Sequence, residues 1–191
     1  MPGAINIPLK QLDADSTAKL DKTRPVIVYC WDYLCDLSPR AAARLDSLGF
    51  ERVYDYAVSK VDYLARGLPR EGEKAAERRA ADFLRDDVVR CALGDPVERV
   101  RVEVEASRHG FALVLDEQEV LLGRLRRSAL EGDGAKTAEE AMESGLSTIR
   151  ADTSVEKLRE RLEGRGLNFA IVTTPDGVLM GIVCRSDLQS A

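Results

Sequence analysis

Apolar and polar positions recur with a fixed offset along the C-terminal half of the chain. When the sequence is shifted by 58 positions, residues 97–130 align with residues 155–188 without a gap, and 13 of the 34 aligned pairs are identical. The identities fall on apolar and turn positions, which two copies of one supersecondary unit would share. The sequence therefore predicts an internal duplication.

Each copy predicts the same order of elements. In the second copy a short extended segment precedes a helix whose apolar Val155, Leu158 and Leu162 lie on one face. Two strands follow around a Pro-Asp-Gly turn at 175–177, and a second helix begins at Ser186. Because such a β-α-β-β-α unit buries one face of its sheet, we expect the two copies to pack about a pseudo-two-fold axis.

The N-terminal part has a different pattern. Proline and glycine divide the first 72 residues into short segments. They include an apolar run that ends at Cys30 and a helix start at Ser38-Pro39, with serine as N-cap and proline in the first turn. Residues 73–87 combine helix-forming and charged residues with few apolar positions, which predicts a connecting helix.

Composition excludes several classes of protein. With 191 residues, 45% of them hydrophobic, and a net charge of −5, the chain suits a globular protein and not a disordered chain or a general nucleic-acid binder. No apolar run is long enough to cross a membrane. His109 is the single histidine, expected at an exposed helix end, so we expect no metal site. The N-terminus lacks a secretory signal, which predicts a cytoplasmic protein with reduced thiols.

A signature in the second copy resembles a known family. Gly181-Ile182-Val183-Cys184-Arg185-Ser186-Asp187 is similar to the Gly-apolar-apolar-x-x-x-Asp signature of CBS domains, with cysteine where serine or threonine is usual. Together with the duplication, it makes the region 87–191 resemble a tandem CBS pair. The resemblance implies a cleft that binds AMP, ATP or S-adenosylmethionine as a regulatory ligand, with no cofactor required.

The resemblance also assigns roles to residues of the second copy. Asp187 would accept both ribose hydroxyls, and its neighbour Ser186 would assist. Arg185 would meet a phosphate. The other candidates are the entry-strand residues and a small residue beneath the base: Thr148, Ile149 and Ala170. The alternative for Asp187 is a carboxylate that only complements the dipole of the following helix.

The first copy lacks the matching acid. Ala129 stands at the position of Asp187, so we expect at most one working cleft. Arg124, Arg126 and Arg127 cluster nearby, either as phosphate ligands or as a solvated basic face that requires counter-charges.

The first part of the chain, about residues 2–72, resembles a rhodanese-like domain. The resemblance rests on Pro2-Gly3-Ala4-Ile5-Asn6-Ile7-Pro8-Leu9, on the strand that ends in Cys30 and on the segment that begins at Asp62-Tyr63-Leu64. It implies a parallel sheet and sulfur transfer, with the Cys30 thiolate as the nucleophile. Cys35 with Arg40 is an alternative nucleophile and charge stabiliser.

Features of the loop leave other roles open for these cysteines. The loop after Cys30 has no glycine and contains Asp32 and Asp36, whose charges would oppose an anion. Cys30 as a buried structural residue and a Cys30–Cys35 redox pair are further alternatives. The strand that opens the family's fold is missing, so we expect the natural chain to begin upstream of Met1, another subunit to cover the gap, or the domain to be a remnant.

Together these features predict an α/β protein: a partial rhodanese-like parallel-sheet domain and an α+β tandem CBS pair. The expected domains are 1–72, the connecting helix 73–87, and the repeats 88–144 and 145–191. The expected function is a regulatory sensor of an adenosyl small molecule, homodimeric through the CBS pair. The alternative is a thiosulfate sulfurtransferase that carries a persulfide on Cys30.

Overall fold

A computed structural model describes residues 1–73, 75–131 and 136–189. Residue 74 of the predicted connecting helix and residues 132–135 and 190–191 of the predicted repeats lie outside the described part. The chain forms two compact units, Met1–Glu77 and Arg78–Ala191.

The first unit is built around two parallel strands. Its elements are a 3-10 turn (Leu9–Gln11), β1 (Val26–Val28), α1 (Leu37–Ser47), β2 (Val53–Asp55) and α2 (Ser59–Ala65). In the parallel register Val26 lies opposite Val53 and Val28 opposite Asp55.

One face of this small sheet is packed and the other is not. Leu12, Leu45 and Phe50 are buried and pack with partly buried residues of β1 and β2, including Val26 and Val28. Strand alternation turns the paired Ile27 and Tyr54 to the opposite face, where they are 63% and 55% exposed. The unit therefore has a core on one side of its sheet only.

The predicted connecting helix is wrong. The described residues of 73–87 contain one short 3-10 turn, Ala80–Phe83, and no α-helix. The segment instead pairs with the second repeat: Arg79 bridges Ser154 and Arg85 bridges Ile182 in antiparallel fashion. The segment has few apolar residues that could pack a helix against the rest of the protein. The backbone hydrogen bonds to the second repeat therefore outweigh its helix propensity.

The second unit contains two copies of one fold. Its first half comprises β3 (Val89–Ala92), α3 (Val97–Glu105), β4 (Phe111–Leu115), β5 (Leu121–Arg126), α4 (Arg127–Leu130), α5 (Ala138–Ala141) and β6 (Glu143–Ser144). Its second half comprises β7 (Thr148–Ile149), α6 (Val155–Gly164), β8 (Phe169–Thr173), β9 (Leu179–Cys184) and α7 (Arg185–Gln189).

The 58-residue offset holds in the structure, which confirms the predicted α/β class with its repeated β-α-β-β-α unit. β4 and β8 match end to end, as do β5 and β9. Each hairpin also carries a register shift at the same place, Val114/Leu115 in one copy and Val172/Thr173 in the other. The strand orders are β3-β4-β5-β6 and β7-β8-β9, with the first pair parallel in each sheet.

The two copies share one core. Phe111 and Phe169, which are equivalent positions, stack with ring centres 4.4 Å apart. Around them a cluster combines side chains from both copies: Val88, Leu113, Leu115, Ile171, Leu179 and Ile182. The hairpin turns meet as well, since Val120 bridges Val178. Burial of this apolar surface is the main force that holds the copies together.

Candidate functional site

Asp187 lies in the first turn of α7, immediately after β9. Its side chain is 29% exposed, and both carboxylate oxygens accept hydrogen bonds from Arg85 Nη1 at 3.2 Å. Ser186 Oγ lies 3.4 Å from Oδ1 of the same carboxylate. The carboxylate is therefore half-buried, accessible and already engaged by a cation.

Arg85 reaches Asp187 because its backbone is fixed on β9. The Arg85 N–H donates to Ile182 O at 2.9 Å, and the Ile182 N–H donates to Arg85 O at 3.0 Å. Gly181, the first residue of the signature, makes this approach possible: a Cβ there would lie 2.5 Å from Arg85 O, and its φ is +142°. The glycine is thus required by the incoming segment as well as by its own backbone conformation.

Arg85 also contacts a second carboxylate. Its Nε and Nη2 lie 3.4 Å from oxygens of Asp87, and Asp87 Oδ1 lies 3.1 Å from His109 Nε2. The hydrogen bond from His109, followed by the charge of Arg85, lowers the pKa of Asp87, and the hydrogen bond and charge of Asp187 raise the pKa of Arg85. The expectation of an exposed His109 is wrong, because its side chain is only 10% exposed where it packs near Phe111 and Asp87.

The other candidate residues lie on the same sheet. Thr148 and Ile149 form β7 and pair with Ile171 and Val172 of β8. Ala170 is buried and lies opposite Val183 of β9. The backbone N–H of Arg185 donates to Asn168 O at 2.8 Å and so ties the start of α7 to the start of β8. One sheet and the helix that follows it therefore carry all six residues: Thr148, Ile149, Ala170, Arg185, Ser186 and Asp187.

The sequence patterns assign no role at this site to three residues that the structure places there: Arg85, Asp87 and His109. The 58-residue offset offered a signal for the first, since Arg85 corresponds to Glu143. Glu143 pairs with Arg124 of β5, just as Arg85 pairs with Ile182 of β9.

The first repeat has opposite charges at the equivalent place. Glu143 accepts from Arg124 Nη2 at 2.7 Å and from Arg126 Nε and Nη2 at 2.6 and 2.7 Å. These hydrogen bonds lower the pKa of Glu143 to about 2. The sequence predicts that the arginine cluster either binds phosphate or requires counter-charges. Glu143 is the counter-charge of Arg124 and Arg126, and the methyl group of Ala129 offers no acceptor.

The loop after β1 holds a disulfide. Cys30 and Cys35 form a disulfide, with Cα atoms 6.4 Å apart, so the expectation of reduced thiols is wrong for this pair. Neither sulfur is a thiolate in this structure. Arg40, the proposed charge stabiliser for Cys35, pairs with Asp36 on an exposed part of the helix. The disulfide joins the two cysteines that one of the alternatives paired, and redox activity of the pair stays a prediction.

An internal carboxylate also occupies the loop. Asp32 is buried, and the Leu34 N–H donates to its Oδ1 at 3.1 Å while the Cys35 N–H donates to its carbonyl at 3.1 Å. These two amides therefore have their acceptors within the loop itself. The Cys30 N–H is satisfied by Ser59 Oγ at 2.9 Å.

The two remaining cysteines are free. Cys91 is buried and Cys184 is partly buried, and burial raises the pKa of both thiols, to about 12 for Cys91. In 1–73, 75–131 and 136–189, no group of three or more acidic, histidine or cysteine side chains could hold a metal ion. Within the same described residues, every helix is too short or too polar to traverse a lipid bilayer.

Comparison with known families finds a domain in each unit. The sequence model of the rhodanese-like domain matches residues 1–65, and that of the CBS domain matches residues 138–191. The chain contains a rhodanese-like domain and a CBS domain. No curated protein matches its sequence.

Solved CBS structures have the same fold. The cytosolic domain of the Mg²⁺ channel MgtE in complex with ATP is 23% identical, with a TM-score of 0.55 over 78% of this chain and 57% of that one. CBSX2 in complex with AMP is 18% identical, with a TM-score of 0.52 over 59% and 93%. The CBS pair domain from Shewanella oneidensis MR-1 is 14% identical, with a TM-score of 0.54 over 69% and 85%. At these identities the likeness shows the fold.

Proposed function

We propose that this protein is a regulatory sensor whose second CBS repeat binds an adenosine-containing ligand through Asp187. One observation carries the proposal: the Asp187 carboxylate stands at the start of α7, half-buried, with both oxygens accepting from one donor, Nη1 of Arg85. Two adjacent ribose hydroxyls could each donate to one of the same oxygens. The ATP and AMP complexes of the two CBS proteins of like fold support this ligand class.

The rest of the ligand would lie against the neighbouring strands. Ala170 has a side chain small enough to leave room beneath an adenine ring, and Thr148 and Ile149 offer backbone groups on β7. Arg185, at the first position of α7, would contact a phosphate. Adenine recognition by backbone and small side chains leaves the polar selectivity of the cleft to Asp187 and its charged neighbours.

We infer that the first repeat contributes structure and no second ribose site. The methyl group of Ala129 cannot accept a hydrogen bond from a hydroxyl, and Glu143 is engaged by Arg124 and Arg126.

The rhodanese-like unit would then serve as a docking or structural unit in a cytoplasmic protein that dimerises through its CBS pair. Sedimentation of the purified chain at micromolar concentration tests the dimer; a monomer at all concentrations contradicts that part of the proposal.

Sulfur transfer from Cys30 remains the alternative, and it requires a reduced loop. Cys30 could accept sulfane sulfur only after reduction of its bond to Cys35, and Asp32 would oppose the resulting anion. We therefore expect negligible thiosulfate-to-cyanide transfer, even from the thiol-reduced protein. Turnover that is abolished by Cys30→Ser would instead favour the enzyme.

Thermal unfolding in the presence of nucleotides tests the sensor. A ligand at 100 times its Kd stabilises the folded state by about 2.7 kcal/mol, which should raise the Tm by about 5 to 10 °C. We expect this shift with at least one of AMP, ATP and S-adenosylmethionine, and we expect Asp187→Asn to abolish it. Asp176→Asn, in the exposed turn of the same repeat, is the control and should keep the shift. Absence of any shift at millimolar ligand, or an equal shift in Asp187→Asn, contradicts the proposal.

A further inference from the structure

Arg85 occupies the acceptor atoms that the proposed ligand needs. Its Nη1 lies 3.2 Å from both oxygens of Asp187. A ribose diol that takes the acceptor sites held by Nη1 displaces the guanidinium. Binding at this cleft is therefore an exchange of donors on one carboxylate, and what becomes of the displaced guanidinium decides which ligands bind well.

The displaced guanidinium stays close to the cleft. Hydrogen bonds in both directions with Ile182 hold the Arg85 backbone on β9, and the close approach over Gly181 leaves the segment little freedom. Movement is consequently confined to the side chain, which rotates about a fixed point beside Asp187.

Asp87 gives the rotated side chain one partner but not two. It already faces Nε and Nη2 of Arg85 at 3.4 Å, and His109 holds it from the other side at 3.1 Å. When Asp187 turns to a ribose, Nη1 loses the contact it had. A half-buried guanidinium group that loses a charged partner is costly unless another anion replaces it.

We propose that Arg85 is a specificity-determining residue that makes the second-repeat cleft select adenosine compounds bearing a phosphate. The ribose hydroxyls replace the guanidinium on Asp187, and the ligand's phosphate replaces Asp187 on Arg85. Each charged group exchanges one partner for another. Adenosine supplies the hydroxyls without the anion and leaves Nη1 of Arg85 without a replacement for Asp187. This inference rests on the proposed function and names the ligand class within it.

The test compares AMP with adenosine on the full chain by isothermal titration calorimetry. In the natural protein AMP should bind at least about tenfold more tightly than adenosine, since a hydrogen bond to a charged group contributes about that factor. In Arg85→Gln the preference should fall by about threefold or more, because adenosine no longer breaks an ion pair and AMP keeps only its contact with Arg185. Circular dichroism verifies that the variant is folded.

Two further variants make the result specific. Arg90→Gln removes an arginine of similar exposure, 32% against 29%, which pairs with Asp86 and Glu119, and it should keep the tenfold preference. Arg85→Lys keeps a positive charge on the same backbone and should also retain a preference for AMP. If Arg85→Gln is unfolded, a preference in Arg85→Lys that weakens with added salt supports the inference, and one that is insensitive to salt contradicts it.

The outcomes separate this inference from the proposed function. AMP binding with the same AMP-to-adenosine ratio in the natural protein and in Arg85→Gln overturns the role of Arg85 and leaves the sensor intact. Binding of neither compound to either protein overturns the role of Arg85, and it overturns the proposed function as well when ATP and S-adenosylmethionine also fail to bind.

Discussion

The two repeats of the CBS unit have the same backbone and opposite site chemistry. Their hairpin strands, β4 and β5 in one copy and β8 and β9 in the other, match residue for residue at an offset of 58, and even their register shifts coincide. Yet the second repeat places Arg85 against Asp187, whereas the equivalent positions of the first are Glu143 and Ala129, and Glu143 turns to two arginines of β5. Apolar and glycine positions preserve the fold, while a few polar positions decide whether a cleft can bind a ligand.

The clearest shared requirement is a glycine beneath the incoming segment. The segment that precedes one repeat crosses a glycine in the hairpin of the other repeat. Arg85 lies over Gly181, and Met142 and Glu143 lie over Gly123. A Cβ would lie 2.5 Å from Arg85 O at the first and 2.5 Å from Met142 Sδ at the second. The fold thus repeats its tight contact although the side chains above it differ.

The largest expected effect tests whether the repeats are equivalent in packing. Leu130 and Leu188 occupy matching positions at the ends of their hairpin-following helices, and both are buried, at 3% and 0% exposure. Truncation of either to alanine should destabilise the second unit by about 3 kcal/mol. Urea unfolding measures both variants. If the two losses of unfolding free energy differ by more than about 2 kcal/mol, the two copies are not equivalent in packing.

A somewhat smaller effect is expected at the glycine contact. Gly181→Ala should cost about 2 to 3 kcal/mol, because the new methyl group meets a backbone carbonyl and the residue has a positive φ. Gly164→Ala is the matched control: it lies at the end of α6 with nothing within 4 Å, and it should be neutral or slightly stabilising. Equal stability of Gly181→Ala and the natural chain would mean that Arg85 is not held against β9.

The smallest effect concerns the charges of the first repeat. Arg126 and Arg124 depress the pKa of Glu143 to about 2 from an ordinary value of 4.5, so its carboxylate favours the folded state above pH 4.5. That contribution should disappear as the pH falls from 4.5 towards 2. The Tm of Glu143→Gln should lie slightly below that of the natural protein at pH 6 and converge with it near pH 2.

Glu117→Gln, on the exposed hairpin turn of the same repeat, serves as the control, and its Tm should stay close to that of the natural protein at both pH values. A gap between Glu143→Gln and the natural protein that stays constant from pH 6 to pH 2 would contradict the ion pairing in the first repeat.

Much of the fold could be predicted from local pattern and duplication. The apolar strands β8 and β9, the turn between them and the face of α6 formed by Val155, Leu158 and Leu162 all follow from side-chain periodicity. The failures have one physical cause, which is dependence on distant partners. The segment 73–87 has helical propensity but receives its hydrogen bonds from residues about 75 to 100 positions away, such as Ser154 and Ile182.

Only part of the site could be predicted, because the rest of it also depends on distant partners. Asp187 stands in a signature that can be recognised locally, and the five residues named with it lie on one sheet or on the helix that follows. Arg85 is separated from Asp187 by 102 positions, so no local pattern indicates their ion pair. The bond between Cys30 and Cys35 depends on how the loop folds over Asp32, which spacing alone left as one of several alternatives.

The number of AMP molecules bound per chain tests the difference between the repeats most directly. Titration calorimetry at a protein concentration well above Kd should give one site per chain, and Asp187→Asn should eliminate it while Ala129→Ser leaves it unchanged. Two sites per chain, or a single site that survives in Asp187→Asn, would contradict the assignment of binding to the second repeat.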